Sequence, residues 1–359
     1  LAVGLVMLFS ASYADSYYRQ GDSYYYISRQ GFFAVAGVIA MLLVSTFDYH
    51  HFHKLVLPVA GITLVMLVAV VLFGRVLKIK EIAPPEGVAV RWLNIAGVQF
   101  QPSEIAKFAI ILIFAHMISV SAARMHTFRH GVLPFVGVLG LFGGLIVLEH
   151  HMSGTLIILL LGAALMFIGG TQPRWFIIGG SLVAAALVAY LLFGGGYQTD
   201  RVIGWLDPFN APADVDTYQT RQSLYAIGSG GFLGLGLGQS RQKYLYLPAP
   251  QNDFIFAIVC EELGMVGALA IMVLFGMLIW RGMYVSLKAK DRFGMLLGLG
   301  ITFQVGIQAV LNICVVTNTI PNTGISLPFF SSGGTALMML LGEMGVLLNI
   351  SRSASVEKT

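Results

Sequence analysis

Ten almost wholly apolar runs, at residues 1–14, 31–47, 55–73, 105–119, 132–148, 155–170, 176–193, 254–280, 293–316 and 334–350, alternate with breaks that carry charge, proline or glycine. The runs are continuous and do not alternate with a period of two, so they predict helices rather than the strands of a barrel. The fold class that follows is all-α: a polytopic membrane protein with about ten transmembrane helices, read as one transmembrane domain over 1–359. Several runs fall short of about 20 residues and must take in flanking polar residues or sit tilted among neighbours. Two breaks are long. Residues 74–104 and 194–253 predict outer segments, and the second, between helices seven and eight, is long enough to fold on the membrane surface.

Charge sets the orientation. The breaks after helices two, four, six and eight (DYHHFHK, SVSAARMHTFRH, TQPR and RGMYVSLKAKDR) together with the tail SRSASVEKT hold ten of the 21 lysines and arginines. The short breaks 149–154 and 317–333 hold none. Short basic loops stay in the cytoplasm, which predicts two cytoplasmic termini and puts 74–104 and 194–253 outside. In so apolar a chain, with 57% hydrophobic and 11% charged residues, the net charge of +4 reports loop orientation and no nucleic-acid role. Leu1 lies inside an apolar run, so the reading expects a cytoplasmic tail before it and no cleaved signal peptide. Cys260 and Cys314 also lie in apolar runs, as small buried residues rather than a disulfide or metal pair.

Candidate chemistry gathers where polar residues meet the membrane surface. Asp253 opens the eighth helix beside Pro248, Pro250 and Asn252, after Arg221, Gln222, Arg241 and Lys243. It is a candidate catalytic base, against the simpler reading of a helix N-cap. At the start of the fourth helix Pro102 ends the loop and Ser103 suits the cap. Glu104 and Lys107, at i and i+3, share one face there. Arg91-Trp92 either anchor the loop at the interface or, through the guanidinium, meet a pyrophosphate. In the ninth helix Gln304, Gln308 and Asn312 form a polar stripe, continued by Asn318, Asn322, Ser331 and Ser332. Interhelical hydrogen bonding, a headgroup groove and a transport path all fit it. Glu261, Glu262 and Glu343 are expected to face the same interior. The tyrosines of YADSYYRQGDSYYYISRQ suit an interfacial aromatic belt. The cluster His50-His51-His53 has only Asp48 at ligand spacing and Glu149-His150-His151 has no further ligands nearby; the glycines of FIGG and IIGGS lack the lysine-serine of a phosphate loop and suit close helix packing, and those of 228–238 fall in a strongly apolar setting. An interfacial, partly re-entrant segment suits those glycines better.

The passages RWLNIAGVQFQPSEIAKF, QSLYAIGSGGFLGLGLGQSRQKYLYLPAPQNDFIFAIVCEELG and VVTNTIPNTGISLPFFSSGG resemble the bacterial shape, elongation, division and sporulation (SEDS) family, which includes FtsW, RodA and SpoVE. The wording QSRQKYLYLPAPQNDF looks closer to the FtsW and SpoVE branch. The resemblance implies a peptidoglycan glycosyltransferase of the bacterial cytoplasmic membrane. Such an enzyme polymerises lipid II into undecaprenyl-linked glycan outside the membrane and works with a class B penicillin-binding transpeptidase. It places the essential acid on Asp253, the arginine-tryptophan pair on Arg91 and Trp92, and the PSE-x-x-K segment on Glu104 and Lys107. Arg221, Gln222, Asn322, Ser331 and Ser332 join them as substrate-binding candidates. Charge on a leaving pyrophosphate would be met by Lys107, Arg91 or Arg221, or by a divalent cation, Mg or Mn, on carboxylates. Where many members carry P-D-x-G-T, this chain reads His151-Met152-Ser153-Gly154-Thr155, so a role for an acid there passes to Glu149. The rival readings are a lipid II flippase and a non-catalytic scaffold for the transpeptidase.

Overall fold

The structure, a computed structural model, describes residues 1–84, 89–95, 97–193, 197–212 and 217–354. The expected turn residues Pro85 and Gly87, Gly194 and the last part of the basic tail lie outside the described residues. Thirteen helices are present among them: α1 (Ala2–Gln20), α2 (Tyr25–Val44), α3 (Phe52–Val70), α4 (Pro102–Val120), α5 (Phe128–Gly131), α6 (Leu133–Leu148), α7 (Met152–Ile168), α8 (Pro173–Phe193), α9 (Tyr197–Leu206), α10 (Tyr218–Gly230), α11 (Ile255–Leu287), α12 (Arg292–Val316) and α13 (Gly334–Ser353). Each of the ten apolar runs is a helix, several drawn out into polar flanks. Among the described residues seven stretches are long and apolar enough to cross a membrane, and α7 is a shorter apolar helix. The chain is a multi-pass, all-α membrane protein.

Local chemistry explains where elements begin and end. Gly21 closes α1 in the left-handed region, φ 73°, and its N–H bonds Tyr17 O. Helix α4 starts two residues earlier than a Ser103 cap would place it. Gln101 is the extended flanking residue and Pro102 takes the first helical position, where its missing N–H costs nothing. Ser103 is therefore inside the first turn and does not cap, and its hydroxyl is buried without a hydrogen-bond partner among the described residues. Ahead of it lies an unforeseen antiparallel hairpin of β1 (Leu93–Ile95) and β2 (Val98–Phe100), with Leu93 opposite Phe100.

Two compact units are distinguishable, each built from three separate stretches of chain. One comprises Phe33–Phe176, Leu278–Ile307 and Thr335–Thr359. Its centre is α4, where Ala106, Ala109, Ile110, Ile111, Leu112, Phe114 and Ala115 are fully buried. The Phe114 ring meets Phe135 of α6 edge-on at 4.9 Å. Gly37 of α2 lies against Leu341 of α13, and Gly345 of α13 against Met41 of α2, so both glycines bring backbones close in the manner of membrane helices.

The other unit comprises Leu1–Phe32, Ile177–Met277 and Gln308–Gly334. Its defining feature is a break in α11 at Gly264, where φ 66° and ψ −168° are open only to glycine. A broken helix leaves backbone groups without partners, which an apolar environment does not tolerate. The glycine-rich segment after α10 supplies them. Leu235 N and Gly236 N donate to Glu261 O and Glu262 O, while Met265 N and Val266 N donate to Gly231 O and Phe232 O. The backbones lie so close that a β-carbon on Gly230, Gly234 or Gly264 would overlap the opposite chain. These glycines thus serve a backbone junction.

That junction also corrects the expectation for Glu261 and Glu262, which do not extend the polar stripe of α12. Each is about 1% exposed. Glu261 accepts from Ser240 Oγ, from Arg241 N at 2.9 Å and from Ser229 Oγ at 3.4 Å. Glu262 pairs with Lys243 Nζ at 2.8 Å and accepts from Ser10 Oγ and Ser240 N. Both carboxylates hold the loop in place.

Candidate functional site

Asp253 lies in a turn, half-buried, before α11 begins at Ile255, so the helix flank is occupied by Phe254 and the N-cap reading does not describe the aspartate. The turn is held through its backbone. Asn312, fully buried, donates from Nδ2 to Asp253 O at 2.7 Å and to Ile325 O at 2.6 Å. A single amide thereby ties the Asp253 turn to the 317–333 loop. Gly324 of that loop has φ 70°, and a β-carbon there would sit 3.5 Å from Asp253 Oδ2. The missing side chain leaves room beside the carboxylate. Asn322 Nδ2 donates to Gln219 Oε1 at 3.2 Å, and Gln219 Nε2 donates to Pro248 O at 3.3 Å.

Of the other candidates in this unit, Ser331 and Ser332 act on the backbone. Ser331 Oγ accepts from Leu327 N at 2.7 Å, and Ser332 N donates to Gln251 O at 2.8 Å. Arg221 and Gln222 lie half-buried on α10. On the same helix, Gln219 donates to Pro248 O and Ser223 Oγ to Val316 O at 2.9 Å. Sequence reasoning missed Gln219, Gln251, Asp15 and Gln30. Asp15 was visible as an acid in an otherwise uncharged stretch, and Gln30 as a polar group at the edge of an apolar run.

A second polar cluster lies in the unit built around α4. Lys107 Nζ pairs with Glu104 Oε2 at 2.7 Å, the one-turn spacing read from the sequence. The lysine side chain is 2% exposed and the glutamate 17%. Arg91 and Trp92 are half-buried just before β1. Val90 N donates to Glu149 O at 3.2 Å, which ties this strand to the turn between α6 and α7. Glu149 is fully buried, and neither of its carboxylate oxygens has a hydrogen-bond partner among the described residues. Burial pushes its carboxyl up to about 9, with the Arg91 guanidinium pulling the other way. In the same turn burial, then the charges of Arg91 and Lys107, push the His151 imidazole down to about 3. Both groups are neutral at pH 7. Deeper in the unit, Gln304 Nε2 donates to Glu343 Oε2 at 2.8 Å.

Among the described residues no three His, Cys, Asp or Glu side chains converge as a metal site. In the unit built around α4, Glu104 is engaged by Lys107, and Glu149 is buried with the Arg91 charge acting on it.

Comparison with known proteins agrees with this architecture. A "probable peptidoglycan glycosyltransferase FtsW" of Geobacter sp. is 36% identical over 348 residues, covering 97% of this chain and 92% of that protein. The stage V sporulation protein E of Bacillus subtilis is 36% identical over 355 residues, covering 98% and 94%. Among solved structures, a chain from work on the coordination of polymerization and crosslinking by a peptidoglycan synthase complex superposes with a TM-score of 0.77 at 25% identity, covering 99% of this chain and 98% of its own. The rod shape determining protein RodA of Thermus thermophilus shares the fold, with a TM-score of 0.70 at 23% identity and coverage of 99% and 94%. The family model described as cell cycle protein matches residues 1–356, and the chain belongs to that family, the one of FtsW, RodA and SpoVE.

Proposed function

We infer that the chain is a peptidoglycan glycosyltransferase that polymerises lipid II, with Asp253 as its general base. Membership of the family and relatives bearing that name over nearly the whole length support the activity. The observation that carries the base is the Asp253 turn itself: a half-buried carboxylate on a backbone fixed by Asn312, with space left beside it by Gly324.

In the reaction, a sugar hydroxyl of one substrate attacks the anomeric carbon of another that bears a lipid pyrophosphate. The new glycosidic C–O bond forms as the bond to pyrophosphate breaks. Asp253 takes the hydroxyl proton, and the lipid pyrophosphate leaves with the electron pair. Its charge calls for cations in a site of low dielectric. The family resemblance names Lys107, which Glu104 orients, Arg91 and Arg221 as candidates for that role. Trp92, Gln222 and Asn322 belong to the substrate surface. Ser331 and Ser332 shape it through the loop backbone.

The pattern of basic loops supports an active site outside the cytoplasmic membrane with both termini inside. A class B penicillin-binding transpeptidase is the partner of this reading, in keeping with the synthase complex that contains a similar chain. In α12, Gln304 is bonded to Glu343, and Asn312 to two backbone carbonyls, contacts that suit interhelical hydrogen bonding.

The test is polymer formation from purified lipid II by the protein in detergent, with and without a transpeptidase partner whose active serine is blocked. Detergent leaves no two sides to transport between. Glycan chains support the enzyme, and a chelator arm reads whether a cation contributes. Absence of polymer in every arm overturns the reading in favour of a transporter or scaffold.

A further inference from the structure

Asp15 is an unfavourable place for a charge. It lies toward the C-terminal end of α1, where the helix dipole repels an anion, and is 2% exposed. Two partners offset this. Arg19 Nε, one turn on, meets Asp15 Oδ1 at 2.6 Å, and the amide of Gln251 donates to Asp15 Oδ2 at 2.9 Å. Gln251 is itself 2% exposed and stands two residues before Asp253.

Other contacts complete a frame around the same turn. Gln251 O accepts from Ser332 N, and Gln30 brackets the adjoining loop by donating to Ser331 O at 3.2 Å and accepting from Gly333 N at 3.1 Å. At the far end of the turn, Asn312 holds Asp253 O. The peptide from 251 to 253 is thereby fixed at both ends, and with it the direction in which the Asp253 side chain leaves the backbone. Of these anchors, the Asp15–Gln251 bond is the one that joins two buried side chains, one of them a carboxylate.

We propose that Asp15 is a positioning residue for Asp253, acting through Gln251. The proposal rests on the reading of Asp253 as the base. Asp15 does not touch substrate. Its carboxylate fixes the Gln251 amide, Gln251 fixes the turn, and the turn aims the base, a chain of support of the kind that outer-shell partners provide in other active sites.

The test compares D15A, D15N, Q251A, D15A/Q251A and D253A in the lipid II polymerisation assay with the silenced transpeptidase present. D15A and Q251A are expected to lower kcat about 10- to 100-fold with KM within about twofold, as misplacement of a base does. D15N, whose side-chain oxygen can still accept from Gln251, is expected to recover most of the rate. The double variant is expected to be no slower than either single one, because both remove the same link. A fully active D15A beside a dead D253A overturns the role of Asp15 alone. So do a D15N as slow as D15A, additive losses in the double variant, or a loss confined to KM. If D15A fails to fold, Q251A still decides, since full activity there breaks the proposed route. Wild-type activity in D253A overturns the base itself, a result distinct from all the others.

Discussion

Asp253 and Glu262 are carboxylates on either side of the first turns of α11, and the fold treats them in opposite ways. Glu262 is sealed from solvent and engaged by Lys243, Ser10 and Ser240. Asp253 is half-buried, its main-chain carbonyl is held by Asn312, and a glycine stands beside its side chain. Enclosure of this kind marks Glu262 as a structural carboxylate, since a group 1% exposed cannot meet a substrate. A fixed backbone beneath an accessible carboxylate is what proton transfer requires. Number of charges alone would have ranked Glu261-Glu262 above Asp253.

The largest expected effect on stability comes from breaking the sealed pair. Lys243→Ala leaves Glu262 buried without its cation and should cost about 3–5 kcal/mol, read as loss of monodisperse protein or a large fall in the detergent melting temperature. A Lys243→Ala protein with wild-type stability would erase the distinction drawn between the two carboxylates. Next is Gly264→Ala, which forces a side chain into a glycine-only conformation at a cost of about 1–3 kcal/mol, before its overlap with Gly234. Melting by the same assay checks it.

Glu149 sharpens the comparison as a third kind of carboxylate, sealed and without hydrogen-bond partners among the described residues. Its folded-state value, about 9, lies above that of the unfolded chain. The stability it contributes is present in acid and is lost as pH rises from the ordinary carboxylate range toward about 9. His151 runs the other way. Its value is depressed to about 3, so stability is present above the ordinary imidazole range and lost as pH falls toward about 3. Glu149→Gln should flatten the alkaline limb of a melting-temperature profile and His151→Gln the acid limb. Unchanged limbs would mean that the turn admits water. The smallest effect belongs to Arg19→Ala, whose partner Asp15 keeps Gln251 while the arginine is 61% exposed. A cost of about 0–1 kcal/mol in the same melting assay is expected.

What the sequence revealed depended on distance along the chain. The apolar runs and the Glu104–Lys107 contact are local, set by helix length and by a one-turn spacing, and both appear in the structure. Ser103 was misread as a cap because Pro102 takes the first helical position, which moves the cap two residues back to Gln101. Glu261 and Glu262 were misplaced for a different reason. Their partners, Arg241 N and Lys243, lie some 20 residues upstream in the segment after α10, a contact that no helical spacing reports. The break of α11 at Gly264 was written in the sequence as one more glycine among 42. The support of Asp253 by Asp15, Gln30 and Asn312 joins residues from three distant stretches, which no spacing rule connects.

The central claim is tested most directly by Asp253→Asn, which keeps the size of the side chain and removes its capacity to take a proton. In lipid II polymerisation with the silenced partner, the account predicts a loss of at least about 100-fold in kcat, with the melting temperature unchanged. Polymer at the wild-type rate from that protein would contradict it and return the search for the base to Glu104.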